Sequence, residues 1–523
     1  MTQTPKTFQK PVKPRGSQVL DSLKSRISPG LPYGEAFLRF RELFLVVGER
    51  GLGLAVNLLV LVLVERSHGQ AGLGVFSYLW SFYHLTAYVA EWGMSPYVER
   101  ETALHYGYAG KQQEVLRDGF QQVFLMALLA GVLCIASAAY DTTHTRIEEK
   151  MGAYFLIGLA VPLHNLNKLR LAFLNGQGRH EEAARLQGRK RLVFLGTSFL
   201  LMATGLQPSY LVAAFPVSEL ILARAGRKRQ RLPALRSVWV GVEPLKKTLS
   251  QGSRLLLTDD ALDVVLYLDL LILGFFVPAW DLGVYAEASI LARFFLLIPT
   301  SIRPVFRRRF CVLASRSEHL QAAALFHKAA LHLFALHSFV ILLLLLFYPE
   351  ILRFFFWTRG EELSSFRVFG ILAPGLLFSA SVLACEPLYE ALGRTDSLRN
   401  LMMAVFGTTV FLNLTLVPMA GLQGAAWATT LALVLHFLLF TWFLEAPYRW
   451  KMNLYLVAGG AVYVTYTVLE ALEVGAAPTL VLLPVLLGVQ FYGIGFFSED
   501  PGTLGRSNDG GTVHATAGEE EFS

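Results

Sequence analysis

Charged side chains set inside apolar stretches are the residues of this chain best able to do chemistry. The stretch 253–277 carries Arg254, Asp259, Asp260, Asp263 and Asp269. If it is helical, Asp259, Asp260 and Asp263 share an arc of about 100°. One face is then acidic, and Asp263 lies roughly 13 Å along the axis from Arg254, deep enough to lose contact with water. Burial and like charge both disfavour a carboxylate anion. Asp263 is therefore a candidate for taking up and releasing a coupling ion. Asp269 is a second candidate, with a helix-pinning hydrogen bond as its alternative. Asp259 and Asp260 stand in the first turns, where they suit the helix dipole or pair with basic loops, and Asp259 is kept as a gating candidate.

Cations in the same surroundings point to an anionic ligand. Arg293 stands in the middle of the next apolar stretch, where it is the basic residue hardest to explain as an interfacial anchor. A guanidinium gives bidentate contacts to phosphate; the alternative is an ion pair with an acid of the preceding stretch. Glu287 lies six residues earlier and faces another way. Arg254 and Arg50 are weaker phosphate candidates, because end positions allow snorkelling, and Glu49 adjoins Arg50. Glu91 is a further gating carboxylate. Glu386 and Glu390, one turn apart around Pro387, could bind a cation or act as a gate, but a snorkelling rim explains them better. His84, beside Tyr83 and Tyr88, reads as a packing hydrogen bonder before a proton relay.

Other chemistry is excluded. Cys134, Cys311 and Cys385 show no metal-ligand spacing and no disulfide framework. No P-loop and no Ser/His/Asp constellation survives, so neither a cofactor nor an enzyme is expected. The longest candidate outer loop, about 349–365, leaves little room for catalytic groups. "NLT" at Asn413 spells a glycosylation acceptor but sits inside an apolar stretch, so it is set aside.

The elements that must hold these residues are membrane helices. The chain has 523 residues, 54% hydrophobic and only 16% charged, against roughly 25% charged in soluble domains. Fourteen apolar spans are expected, at roughly 42–64, 73–97, 119–140, 152–173, 191–206, 208–224, 253–277, 282–302, 330–348, 366–390, 399–418, 423–444, 453–473 and 478–497. Strand-like alternation is absent, so the spans read as helices that satisfy their own backbone in lipid. The first forty residues are polar and basic, with no cleavable signal pattern, and Leu20, Leu23 and Ile27 share a face of a possible surface helix. Lys and Arg crowd the loops expected at 168–191 and 224–247 and after the eighth span, which places both termini in the cytoplasm. The basic balance, +7 overall, reflects that bias and contact with anionic lipid heads. Without interleaved stacking aromatics it does not point to nucleic acid.

The chain also repeats itself. "GLQPSYLVAA" begins at Gly205 and "GLQGAAWATT" at Gly421, about 216 residues apart. Each follows a Gly-Arg pair, Gly178-Arg179 and Gly393-Arg394. "LGVFSY" at Leu73 and "LGVYAE" at Leu282 each open the second span of a half, and Pro96 and Pro304 follow near the ends of those spans. Residues 40–230 and 250–445 therefore read as two six-helix copies in the same orientation. Parallel repeats are a transporter architecture. Gly424, Ala425, Ala426, Ala428 and Thr429 read as a close-packing face and not as a binding site.

The run "ALGRTDSLRNLMMAVFGTTVFLNLTLVPMAGLQGAAWATTLAL" resembles polysaccharide-type flippases of the multidrug/oligosaccharidyl-lipid/polysaccharide (MOP, MATE-like) exporter superfamily. So do "YLDLLILGFFVPAWDLGVYAEASILARFFLLIPTSIRPVF" and "ERSHGQAGLGVFSY", and the resemblance covers about residues 40–445. By composition and hydropathy the chain divides into a basic segment 1–40, an N-lobe 41–230, a linker 231–250, a C-lobe 251–445, two extra helices in 446–498 and a tail 499–523 that reads as disordered. The resemblance implies an all-α integral membrane fold of about fourteen helices, with two six-helix lobes around a central cavity into which Arg293 is expected to point. It further implies alternating access that moves undecaprenyl-pyrophosphate-linked oligosaccharide across a bacterial cytoplasmic membrane. Asp269 matches the acidic position of the family's D-x-L-I-L-G pattern. The partners so implied are the lipid-linked glycan, membrane lipids, a proton or sodium ion, and other polysaccharide-assembly proteins. The alternative within the superfamily is a proton- or sodium-coupled drug/cation antiporter.

Overall fold

A computed structural model describes residues 32–105, 108–139, 150–227, 242–256, 261–356 and 362–444. Among them there are helices and no strand. In chain order these are α1 (Pro32–Glu91), α2 (Met94–Leu104), α3 (Ala109–Ser137), α4 (Lys150–Gly176), α5 (His180–Ala203) and α6 (Ala214–Arg227), the last preceded by a 3-10 turn, Pro208–Ala213. There follow α7 (Val242–Leu255), α8 (Ala261–Leu273), α9 (Ala279–Ser315), α10 (His319–Phe355), α11 (Glu362–Leu383), α12 (Pro387–Ala391) and α13 (Thr395–Trp442). Five helical segments, 109–137, 279–303, 319–355, 364–391 and 395–442, are long and apolar enough to cross a membrane. Exposed Leu128, Leu129, Val132 and Leu133 on α3 and Phe411 and Leu414 on α13 form the apolar outer surface that lipid requires.

The described parts of the first twelve expected spans fall on helices, apart from short turns within or at the ends of some of them. Spans one and two share α1, which is 60 residues long and breaks at Gly69 (φ 70°, ψ −176°). Spans eleven and twelve share α13, which breaks at Gly421 (φ 53°, ψ −125°). Spans thirteen and fourteen, the segment 1–31, the stretch 228–241 and the tail 499–523 lie outside the described residues.

Three boundaries differ from expectation. The basic "loop" 168–191 is mostly helix: Lys168 and Arg170 end α4, while Arg185, Arg189, Lys190 and Arg191 belong to α5. Ion pairs within α5, such as Arg185–Glu181 at 2.5 Å, carry the helix past the apolar run that set the expected edge. The linker 231–250 holds most of α7, so the seventh span is two helices, α7 and α8. The second span stops at Glu91, where Trp92 (φ 52°) and Gly93 (φ 70°) turn the chain into α2.

The repeated words have a repeated backbone role. Gly178 (φ 76°) and Gly393 (φ 72°) are both left-handed. In each copy the arginine that follows bonds back five residues, Arg179 N–H to Leu174 O at 2.9 Å and Arg394 N–H to Tyr389 O at 2.7 Å. This is a Schellman-type helix stop, which favours glycine. Gly205 (φ 69°) and Gly421 (φ 53°) are likewise both left-handed.

The first and second halves of the sequence meet along the Gly70s end of α1 and the start of α9. A β-carbon on Gly74 would fall onto the carbonyl of Ala279 and within 2.9 Å of the Gly283 amide, while one on Gly283 would fall onto the carbonyl of Gln70. The two residues are the second positions of the repeated LGV words. At the far end of the same helix, Gly93 and Gly252 of α7 meet in the same way, each against the other's backbone carbonyl or that of Trp92. Trp92 Nε1 donates to Leu249 O at 3.1 Å and Tyr88 Oη donates to Leu256 O. Nineteen residues separate Gly74 from Gly93, about 28 Å of helix, close to the roughly 30 Å of a bilayer core.

Candidate substrate cavity

Between these two contacts α1 borders a polar cavity of about 250 Å³. His84, Tyr88 and Glu91 follow helical spacing along α1 and face it together; so do His164, Asn167, Lys168 and Leu171 along α4. Gln187 and Lys190 of α5, Glu219 and Leu222 of α6, and Val264 and Tyr267 of α8 complete the wall. The cavity thus belongs to the first half of the chain and is closed by α8 from the second.

Two carboxylates are held by lysines. Glu91 meets Lys168 Nζ at 2.6 Å and accepts from the Ser95 amide at 3.1 Å. Glu219, fully buried, pairs with Lys190 and accepts from His164 Nδ1 at 2.7 Å, Asn167 Nδ2 at 2.9 Å and Tyr83 Oη at 3.1 Å. So many donors satisfy a buried anion that would otherwise be costly.

An aromatic relay joins this wall to Arg293. The His84 ring stacks on Tyr267 at 4.8 Å and 8°, and stands edge-on to His164 at 6.1 Å. The Arg293 guanidinium lies 3.8 Å from the centroid of the Tyr267 ring, a cation–π geometry. Arg293 is 8% exposed. Among the described side chains no carboxylate is within ion-pair distance of it. Arg293 does not itself line the cavity, as had been expected of it: Tyr267 stands there and carries the guanidinium on its ring.

Asp269 sits apart, fully buried, in a second cluster. It accepts from Tyr285 Oη at 2.8 Å, Thr429 Oγ1 at 2.5 Å and Asn413 Nδ2 at 2.9 Å, binding α8 to α9 and to both parts of α13. Thr429, assigned from its surroundings to packing alone, therefore also bonds a buried acid. Glu386 is not a rim residue: it is 1% exposed, pairs with Arg303 at 2.8 Å and lies 3.2 Å from His436 Nε2. Glu390 pairs with Arg307 at 2.9 Å.

The other sequence candidates scatter. Glu91 and His84 reach the cavity. Glu287 is buried on α9 away from its lining. Arg254 is exposed in the last turn of α7, and Arg50 is half-buried beside the Glu49–Arg191 pair, 2.8 Å long. Asp259 and Asp260 lie outside the described residues, as does the side chain of Asp263, though its backbone is in α8. His164, Glu219 and Tyr267 were not singled out beforehand, and Lys168 and Lys190 were assigned to a loop. The rule that an ionisable group inside an apolar span is a candidate applies to Glu219 in "FPVSELILA" as it does to Arg293.

No protein-family model and no curated protein matches the sequence. Solved structures do match. The lipid II flippase MurJ in an inward closed conformation aligns with a TM-score of 0.65 over 86% of this chain and 98% of its own, at 15% identity. An inward-facing multidrug resistance MATE family transporter of the MOP superfamily aligns at 0.59 over 78% of this chain and 95% of its own, at 14% identity. A MOP superfamily transporter from Pyrococcus furiosus, described as having a binding pocket of reverse polarity, aligns at 0.55 over 79% and 96%, at 13% identity. The chain has the MOP superfamily fold, as the resemblance of its repeated words implied.

Proposed function

We propose that this MOP-fold chain is a flippase that moves a polyprenyl-diphosphate-linked oligosaccharide across a bacterial cytoplasmic membrane for cell-surface polysaccharide synthesis. The observation that supports this most is the charge balance around the cavity. Its two described acids, Glu91 and Glu219, are each engaged by a lysine, whereas Arg293 lies on an aromatic ring and makes no ion-pair contact with a described carboxylate. Among the described residues that line or back the cavity, the guanidinium is the cation left without an ion pair, which suits a diphosphate. The alignment with the flippase structure also extends over more of the chain than that with the MATE transporter.

In this reading residues 41–230 and 251–445 are two lobes that rock about the cavity, with α7 and the Gly93 end at the cytoplasmic face. Both termini are cytoplasmic in this reading. A proton or sodium ion couples the cycle, with Asp269, Asp263 and Asp259 as candidate carriers, and Arg254 and Arg50 guide the diphosphate at the mouth. The related MATE structures support a second reading, a proton- or sodium-coupled exporter of organic cations. Binding to purified protein separates the two. A polyprenyl diphosphate should bind and be displaced by soluble diphosphate, not by tetraphenylphosphonium; the reverse order would favour the antiporter.

A further inference from the structure

The two lysine–glutamate pairs have an asymmetry that bears on how an anion could enter. The side chain of Lys168 is 31% exposed and that of Glu91 4%; Lys190 is 24% exposed and Glu219 1%. All four line one cavity. The ammonium groups thus stand in front and the carboxylates behind, so a ligand entering the cavity meets the cations first. Each pair also joins two helices, α1 to α4 and α5 to α6, so exchange of partners needs only side-chain rotation.

We propose that Lys168–Glu91 and Lys190–Glu219 form a displaceable anion site, in which a diphosphoryl group takes both ammonium groups and the released carboxylates take up protons from solvent. The proposal rests on the flippase reading and adds to it the route by which substrate charge is neutralised. As found, the two pairs are neutral together. A diphosphate added without protons would leave net negative charge in a confined cavity, which is expensive. A carboxylate that has lost its ammonium partner beside a phosphoryl anion is disfavoured by burial and by like charge alike. Each Lys keeps its three protons and donates them to phosphoryl oxygens; each Glu becomes a neutral acid.

The wall can accept that proton without orphaning a group. Protonated Glu219 would donate to His164 Nδ1, whose own proton moves to Nε2, a tautomer change open to any imidazole. Asn167 and Tyr83 would still donate to the acid's oxygens. Among the described residues, the other charged and titratable groups facing this site are His84, Tyr88 and Tyr83 from α1, His164 from α4, Tyr267 from α8 and Arg293 behind it. The two imidazoles are the rival proton acceptors.

Calorimetry on the purified full-length chain, titrated with a polyprenyl diphosphate in two buffers of different ionisation heat, counts the protons directly. Two protons should be taken up per ligand, one by each carboxylate, and affinity should fall about tenfold per pH unit for each proton. Glu219→Gln and Glu91→Gln should each lower the count by one while still binding. Inorganic diphosphate is the second arm: uptake with it assigns the effect to the headgroup chemistry alone, and uptake only with the lipid form assigns it to the anchored headgroup. Binding by the native chain with no proton uptake would overturn the proposal and leave the flippase reading intact. So would an unchanged count in both glutamine variants, which would point to His84 and His164. Failure of the native chain to bind either diphosphate would overturn the flippase reading itself. Because the native titration decides first, a poorly folded variant cannot hide the answer.

Discussion

Tyr267 touches both parts of the candidate machinery, with His84 on the cavity side and the Arg293 guanidinium on its ring. A cation over an aromatic face contributes about 0.5–2 kcal/mol. Tyr267→Phe should therefore hold Arg293 in place and leave diphosphate affinity within about twofold, whereas Tyr267→Leu should weaken it by about fivefold or more; competition binding measures both. An equal loss in the two variants would assign the effect to the hydroxyl instead. Asp269 makes a different prediction. Three buried donors converge on it, from Tyr285, Asn413 and Thr429. Asp269→Ala would orphan the Tyr285 and Thr429 hydroxyls and leave Asn413 only its bond to Thr409 O, a loss of about 3–5 kcal/mol that a melting curve in detergent should show plainly. A small shift would mean that the cluster is loosely satisfied and free for other work.

Among the helices, α1 joins the two halves of the chain through two glycine contacts. The Gly74–Gly283 and Gly93–Gly252 approaches leave no room for a side chain, and in the proposed reading each is a seal between the two halves of the chain, one near each membrane face. A larger residue should hold open only the seal that it enters. Gly74→Leu should expose a cysteine placed at Tyr88 to an impermeant maleimide from outside, and Gly252→Leu should expose it from the cytoplasm. Labelling of right-side-out and inverted vesicles tests this. Labelling from the same side in both variants would rule out two opposed seals. Arg66, whose guanidinium donates to Phe355 O at 3.2 Å, ties α1 to the end of α10 at the Gly74 face and should loosen with that seal.

The whole molecule shows which features were legible in the sequence and why. The repeat was readable because left-handed helix stops at Gly178 and Gly393, and close approaches at Gly74 and Gly283, admit glycine almost alone and so preserve the spelling. Arg293 and Asp269 were readable because an ion in an apolar run is conspicuous. The cavity was not. Its wall comes from α1, α4, α5, α6 and α8, more than a hundred residues apart at the extremes, and no spacing rule joins Glu91 to Lys168 or Glu219 to Lys190. Those lysines were placed in a loop because hydropathy marks where the apolar run stops, not where the helix does. Arg293 was expected to point into the cavity, but Tyr267 stands between the two, a relation that only packing of α8 on α9 creates.

Transport itself is the most direct test of the account. A fluorescent polyprenyl-diphosphate sugar in proteoliposomes should be carried between leaflets by the native chain. Arg293→Ala should abolish that movement while keeping its melting temperature within a few degrees, since a single cation–π contact contributes only about 1 kcal/mol of the roughly 5–15 kcal/mol that holds a fold together. Movement at the native rate in the Arg293→Ala chain would contradict a diphosphate-reading flippase, and gradient-driven uptake of an organic cation in its place would assign the cavity to cation export.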